Sequence, residues 1–386
     1  MKILVSPDSF KGSLTALDAA QAMQKGILSA KEDFGITESI DIIIIPMADG
    51  GEGTVDAIVS ANHGRIIKTR VLDPLGREIG SFFGVLPDNT AVIEMAAASG
   101  LNLIKSDERN PMKTTTYGTG QLIKAALDIG CKNIIIGIGG SATNDGGAGM
   151  AQALGAKFLD KNGDDLKLGG GYLNELDKID ISGLDSRIKD VNFVIASDVR
   201  NPLCGPEGAS AVYGPQKGAS YEMVKILDEN LEHLAQVIKK DLGRDVKDLL
   251  GAGAAGGLGA ALLAFLDAKS RQGIEIVMEL SNFREKVKDV DLILTGEGAT
   301  DYQTKFGKVP FGVAQVAKKY NKPVICVSGS LLTGYEELYN CGISAMFSII
   351  NKPMDLKEAM ERGNKLLEKA VSNIMKSLFL GVINNS

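Results

Sequence analysis

The chain has no tryptophan, a 5% aromatic share and only two histidines, His63 and His233. Neither histidine lies in a glycine-rich or acidic motif. A Ser-His-Asp hydrolase or a histidine-ligated zinc centre is therefore poorly supported. His63, in Asn62-His63-Gly64, reads as a helix stop, and His233 as a surface residue in mid-helix. The four cysteines, Cys131, Cys204, Cys326 and Cys341, form no C-x-x-C pair and stand at no ligand spacing with histidine, which implies reduced thiols in a reducing compartment. The N-terminus lacks the apolar core of a signal peptide. The C-terminal run Leu378 to Ile383 is far shorter than the roughly 20 residues a bilayer span needs. Lysine and arginine, 42 together, are outnumbered by 48 acids, for a net charge of −6. No overall field would gather nucleic acid. The expectation is a cytoplasmic protein with neither nucleic acid nor membrane as partner.

Glycine is abundant instead, with 46 in 386 residues, against a usual share of about 7%. The glycines are clustered. Cores stop growing near roughly 250 to 300 residues, so a chain of this length is expected to form two domains. Short apolar runs recur at Lys2 to Ser6, Asp41 to Pro46, Asn133 to Gly137, Asn192 to Ala196, Asp291 to Thr295 and Pro323 to Ser328. Such runs, rich in β-branched residues, predict strands buried on both faces of a parallel sheet. Between them lie amphipathic stretches, the first from Leu14 to Leu28 with Thr15 as N-cap. Residues 65–95 alternate between strand-like segments and turns, which predicts antiparallel strands. Gly251 to Phe265 reads as a glycine-rich entry into an apolar helix, and Lys357 to Ser377 as a terminal helix. The fold class is α/β with two domains. Residues 1–65 and 290–386 are expected to form one, discontinuous, domain and residues 66–289 the second.

Several strands end directly in glycines, hydroxyl residues and carboxylates, and ligands of open α/β sheets bind at the carboxyl ends of strands. In Ser6 to Ser13, Asp8 and Lys11 precede a helix, where Lys11 could hold a carboxylate or phosphate; the plain alternative is a capped helix with solvated side chains. In Met47 to Thr54, Asp49 and Glu52 stand among three glycines as candidates for Mg²⁺ or for a hydroxyl proton. The loop Gly137 to Gly149 resembles a phosphate cradle, with Gly139, Gly140, Ser141, Thr143 and Asn144 as its contacts. Gly137, Gly139 and Ala142 also match a dinucleotide spacing, but Gly146, Gly147 and Gly149 would then fall in the helix body, at about 1 kcal/mol each. In Ala196 to Leu203, Asp198 is a metal-ligand or base candidate, Arg200 an anion clamp and Asn201 a polar neighbour. A surface Asp–Arg pair is the alternative there. In Thr295 to Lys305, Gly296, Glu297 and Gly298 repeat the pattern. Gly307-Lys308 is no Walker A element, and the protein-kinase H-R-D and D-F-G sequences are absent. What remains is oxygen-ligand chemistry, the equipment of phosphoryl transfer.

Read together, PDSFKGSLTA at 7–16, PMADGGEGT at 46–54, GIGGSATNDGGAGMAQALG at 137–155, ASDVRNPLCGPEGA at 196–209 and LTGEGATDYQT at 294–304 resemble the type I glycerate kinase family. The resemblance implies a Rossmann-like domain with a largely parallel sheet, a second mixed α/β domain, and an active site in the cleft between them. It implies transfer of the ATP γ-phosphoryl group to glycerate with Mg²⁺. The residue roles rest on chemistry: Asp198, Asp49 and Lys11 as catalytic candidates; Asp8, Lys11, Arg200 and Asn201 for substrate; Gly139, Gly140, Ser141, Thr143, Asn144, Gly296 and Gly298 for phosphate; Asp49, Glu52, Asp198 and Glu297 for metal. A kinase for another small hydroxy acid, a non-catalytic hydroxy-acid-binding effector and a dehydrogenase are the competing readings. The phosphorylated hydroxyl, the base and any homo-oligomer stay open.

Overall fold

A computed structural model describes residues 1–383. The described residues divide into two compact units, one of residues 1–49, 56–62 and 274–383, the other of Gly50–Val55 and His63–Gly273.

The first unit is built on a five-stranded sheet in the order Ala345–Ser348, Val324–Ser328, Leu292–Thr295, Lys2–Val5, Asp41–Ile44. All its pairings are parallel. The four apolar runs expected as strands in this half of the chain occupy it. Helix Ala16–Asp33 begins where Thr15 Oγ1 accepts the Asp18 N–H at 3.1 Å, as the sequence predicts. Its apolar stripe, Ala19, Met23 and Ile27, joins Leu366, Leu367, Val371 and Met375 of helix Gly363–Ile383 in one buried cluster. Each fully buried Leu, Ile or Met contributes roughly 1.5–3 kcal/mol.

The expected single helix from Lys357 to Ser377 is instead two, Leu356–Glu361 and Gly363–Ile383. Ser13 Oγ donates to the Met360 carbonyl at 2.6 Å. A first side-chain carbon at residue 363 would lie 2.4 Å from the same hydroxyl. The Ser13 loop thus presses against the chain where the helix breaks.

The second unit carries a six-stranded mixed sheet in the order Lys269–Arg271, Asn192–Ala196, Asn133–Gly137, Thr90–Glu94, Glu78–Val85, Arg65–Leu72. The first four are parallel and the last two add antiparallel, as expected for residues 65–95. The core gathers Phe83, Ile93, Ile134, Ile136, Phe193 and Ile195 of this sheet with Leu258, Leu262 and Phe265 of helix Leu258–Leu266. His233 is half-buried, not a surface residue: its Nε2 lies 2.6 Å from Leu176 O, because helix Tyr221–Leu242 packs on the segment that carries Leu176. His63 ends helix Thr54–Ala61 with φ +53°. The dinucleotide spacing fails on geometry. Gly146 and Gly147 have φ of +63° and +75°, and the helix starts only at Ala148.

Candidate active site

In the first unit the strand order reverses between Lys2–Val5 and Leu292–Thr295. The chain runs from Lys2–Val5 outward to Asp41–Ile44, then returns on the other side. Such a switch point is where open parallel sheets bind ligands. Two of the glycine-acid loops meet there: Ser6 N–H donates to Leu294 O at 2.7 Å, Asp8 N–H to Gly296 O at 2.8 Å, and Thr295 Oγ1 to Ser6 O at 2.8 Å. The peptide N–H of Lys11 faces Gly298, where an added side-chain carbon would sit 3.2 Å from it, while the Lys11 side chain is exposed.

The electrostatics here are those of crowded carboxylates. Burial pushes Asp8 well above the usual range, and the negative charges of Asp49 and Glu297 push it further, against the lowering pull of the Ser9 N–H at 2.6 Å. Burial also raises Glu297, opposed by Lys308 and two hydroxyls. Its Oε1 accepts from Thr304 at 2.7 Å and Thr300 at 3.0 Å, and Lys308 Nζ lies 3.6 Å from Oε2. Lys308, set aside with the Walker comparison in the sequence, thus belongs to this cluster. Cys326, behind Thr300 and Ser328, is pushed by burial to about 12, so it stays a protonated, packed thiol.

The raised Asp8 makes a sign-specific expectation. Between the ordinary carboxylate range and its raised value, the folded protein binds more protons than the unfolded chain, so this group's contribution falls as pH rises through that window. Asp8→Asn in chelator-treated buffer is expected to melt above the parent at neutral pH. The difference should shrink toward zero below about pH 4, where the carboxyl is protonated in both states. A lower melting temperature for the variant at neutral pH would show that Asp8 is not under repulsion.

In the second unit, the carboxyl ends of three neighbouring strands align, with Glu94 opposite Gly137 and Gly137 opposite Ala196. The Gly50–Val55 segment lies on them. A side chain at Gly50, where φ is +95°, would come within 2.6 Å of Ala196 O, and one at Gly137 within 2.6 Å of Gly50 O. Only glycine permits both approaches. Glu94, 6% exposed, was not singled out in the sequence. Its Oε1 accepts the Val55 N–H at 2.7 Å, in the first turn of helix Thr54–Ala61, where a carboxylate also meets the positive helix end.

Glu94→Ala is expected to lower turnover by about tenfold or more by freeing that segment. Glu94→Gln, which keeps an oxygen for Val55, should recover most of it. Steady-state kinetics beside melting curves decide, and equal loss in both variants would show that the charge itself is needed.

The loop after Asn133–Gly137 is held from below. Asp145, fully buried, accepts from Thr116 N at 2.8 Å, Thr116 Oγ1 at 2.9 Å, Gly147 N at 3.1 Å, Thr115 Oγ1 at 3.3 Å and Gly149 N at 3.3 Å. Burial raises its carboxyl, and these donors pull the other way. Asn144 Nδ2 donates to Ser210 Oγ at 2.9 Å, and Lys217 Nζ to Thr143 O at 2.7 Å. The N–H groups of Gly139, Gly140 and Ser141 donate to no backbone carbonyl among the described residues. Such a row of unengaged amides suits a phosphate.

Asp198 follows Asn192–Ala196 and is half-buried, with Arg200 exposed beside it; Glu52 is exposed. Asn201 spends both ends of its amide on the protein, donating to Glu207 O and accepting from Tyr213 OH, each at 2.8 Å. The first unit therefore gathers Asp8, Asp49, Glu297, Gly296, Gly298 and the Lys11 backbone. The second holds Glu52, the Gly139–Asn144 loop, Asp198, Arg200 and Asn201, and adds Glu94, Asp145 and Lys217, which the sequence reading missed.

Fold and loops define an α/β enzyme whose ligand loops offer carboxylates, lysines and free amides. The glycerate kinase family profile matches residues 3–379. The glycerate kinase of Bacillus subtilis (strain 168) is 51% identical over 381 residues, covering 98% of each chain. The glycerate 2-kinase of Escherichia coli (strain K12) is 51% identical over 385 residues, covering 100% of each. A crystal structure of a Salmonella typhimurium LT2 protein assigned as glycerate kinase 2 superposes with a TM-score of 0.86 at 49% identity, over 99% of each chain. The chain belongs to the glycerate kinase family. Among the described residues, no helix is long and apolar enough to cross a membrane.

Proposed function

We propose that this enzyme transfers the γ-phosphoryl group of ATP to glycerate, at its 2-hydroxyl. The observation that carries the reading is the 51% identity, over the whole of both chains, with a protein named glycerate 2-kinase. The unengaged amides of Gly139, Gly140 and Ser141 support phosphate binding in the second unit. Gly296 and Gly298 at the switch point are the further phosphate contacts. Asp198, or Asp49 in its place, orients and deprotonates the attacking hydroxyl. Lys11 and Arg200, both exposed cations, are the candidates for the substrate carboxylate, with Asp8 as a candidate hydroxyl partner. Asn201, engaged at both ends, holds its own loop.

The residues fit Mg²⁺. The repulsion of Asp49 and Glu297 on Asp8 is what a divalent cation relieves. Among the described residues no ready cage of three His, Cys, Asp or Glu side chains exists, and Mg²⁺ in kinases is held by one or two carboxylates plus substrate phosphates. Asp49 and Asp198 are the first candidates, and Glu52 and Glu297 the further ones. When bound, the ion neutralises charge on the transferring phosphoryl group.

The test is ³¹P and ¹³C NMR of the product formed from Mg·ATP and D-glycerate. A 2-phosphoglycerate spectrum is expected. 3-Phosphoglycerate would overturn the assigned position, and turnover only with other hydroxy acids would overturn the substrate. A cytoplasmic location belongs to the same proposal.

A further inference from the structure

Lys217 is the one lysine or arginine classed as fully buried among the described residues, with 1% of its surface exposed. It ends the short turn Pro215–Lys217, after helix Ala209–Tyr213. Its ammonium donates to a neutral carbonyl, Thr143 O. The charge of Asp145 supports it, but burial outweighs that support and pushes the amine down to about 7. A buried ammonium without a directly bonded carboxylate costs stability, and an apolar side chain of the same volume would serve folding better. Groups kept at such a cost concentrate at functional sites.

The carbonyl that Lys217 holds lies in the middle of the glycine-rich loop. On one side are the unengaged amides of Gly139, Gly140 and Ser141. On the other are Asn144, tied to Ser210, and Asp145, tied by its five donors. Thr143 Oγ1 and Asn144 Oδ1 are themselves buried without a hydrogen-bond partner, so the loop does not satisfy itself. Asp145 fixes its far end, and Lys217 fixes its centre.

We propose that Lys217 is a positioning residue for the phosphoryl-transfer reaction, holding the Thr143 carbonyl so that the Gly139–Ser141 stretch keeps its phosphate-binding conformation. The proposal rests on the reading above that this loop binds phosphate. Lys217→Met keeps the volume and removes the donor. It is expected to melt at or above the parent temperature, to bind Mg·ADP at least about tenfold more weakly in titration calorimetry, and to lose about a hundredfold in kcat/KM for ATP. Stability and activity would then move in opposite directions, which a merely structural role would not produce.

Gly139→Ala is measured alongside. Its new carbon would lie 2.9 Å from Gly51 Cα, so it deforms the loop independently of Lys217. Weaker Mg·ADP binding in both variants supports the proposal. Weaker binding in Gly139→Ala alone overturns the role of Lys217 and leaves the loop reading standing. Unchanged binding in both overturns the loop reading and the proposal with it. A loss in Lys217→Met that vanishes well below a lowered melting temperature also overturns it. Where Lys217→Met does not fold, Lys217→Leu is read in the same way.

Discussion

Asp145→Ala is expected to yield little or no folded protein, because it removes one acceptor from five donors inside the second unit. Three are backbone N–H groups, from Thr116, Gly147 and Gly149, and two are the hydroxyls of Thr115 and Thr116. Each buried donor left unsatisfied costs about 1–3 kcal/mol. Even with incomplete additivity, the sum rivals the roughly 5–15 kcal/mol that holds a domain together. Asp145→Asn keeps one oxygen but turns an amide NH₂ toward donors, so it should fold with a clearly lowered melting temperature. Soluble yield and thermal melts of the three proteins check this. An alanine variant melting within a few degrees of the parent would mean that Asp145 does not anchor the loop.

Asp198→Asn should do the reverse, sparing the fold and removing turnover. The carboxylate is half-buried just past the end of strand Asn192–Ala196. As the proposed general base it would contribute about 10²–10⁴ in rate. The neutral amide cannot take the proton of the attacking hydroxyl, so kcat should fall by that factor with the melting temperature nearly unchanged. Asp49→Asn is the paired variant. If Asp198→Asn turns over within a few-fold of the parent and Asp49→Asn does not, the base belongs to the first unit.

The parts of the fold that are local were legible in the chain. The six apolar runs all form strands; most of their β-branched residues are buried, whereas Asp41–Ile44, at the edge of its sheet, is only partly buried, and Thr15 caps the helix that follows it. The terminal helix was misjudged at residues 362–363, since the interruption comes from a distant hydroxyl, Ser13, that no helical period records. The candidate acids were legible in the loops that follow apolar strands, Asp49 and Glu297 directly beside glycines, Asp8 and Asp198 two or three residues past their strands. Glu94 gave only part of that signal: it closes its own strand, and Met95 and Ala96 follow it where the others have a loop of small polar residues. Asp145 stood inside the glycine-rich loop and was passed over as part of a cradle. Its role depends on Thr115 and Thr116, some 30 residues earlier. Lys217 gave no signal: Pro-Gln-Lys-Gly reads as an exposed turn, and only tertiary packing buries it.

The measurement that tests the central claim most directly is ADP release from Mg·ATP by the purified protein, with and without D-glycerate, and with the metal chelated. Release that needs both glycerate and Mg²⁺ is the result expected of a glycerate kinase. No release above background with D-glycerate or L-glycerate, from protein shown to be folded, would contradict the proposed function.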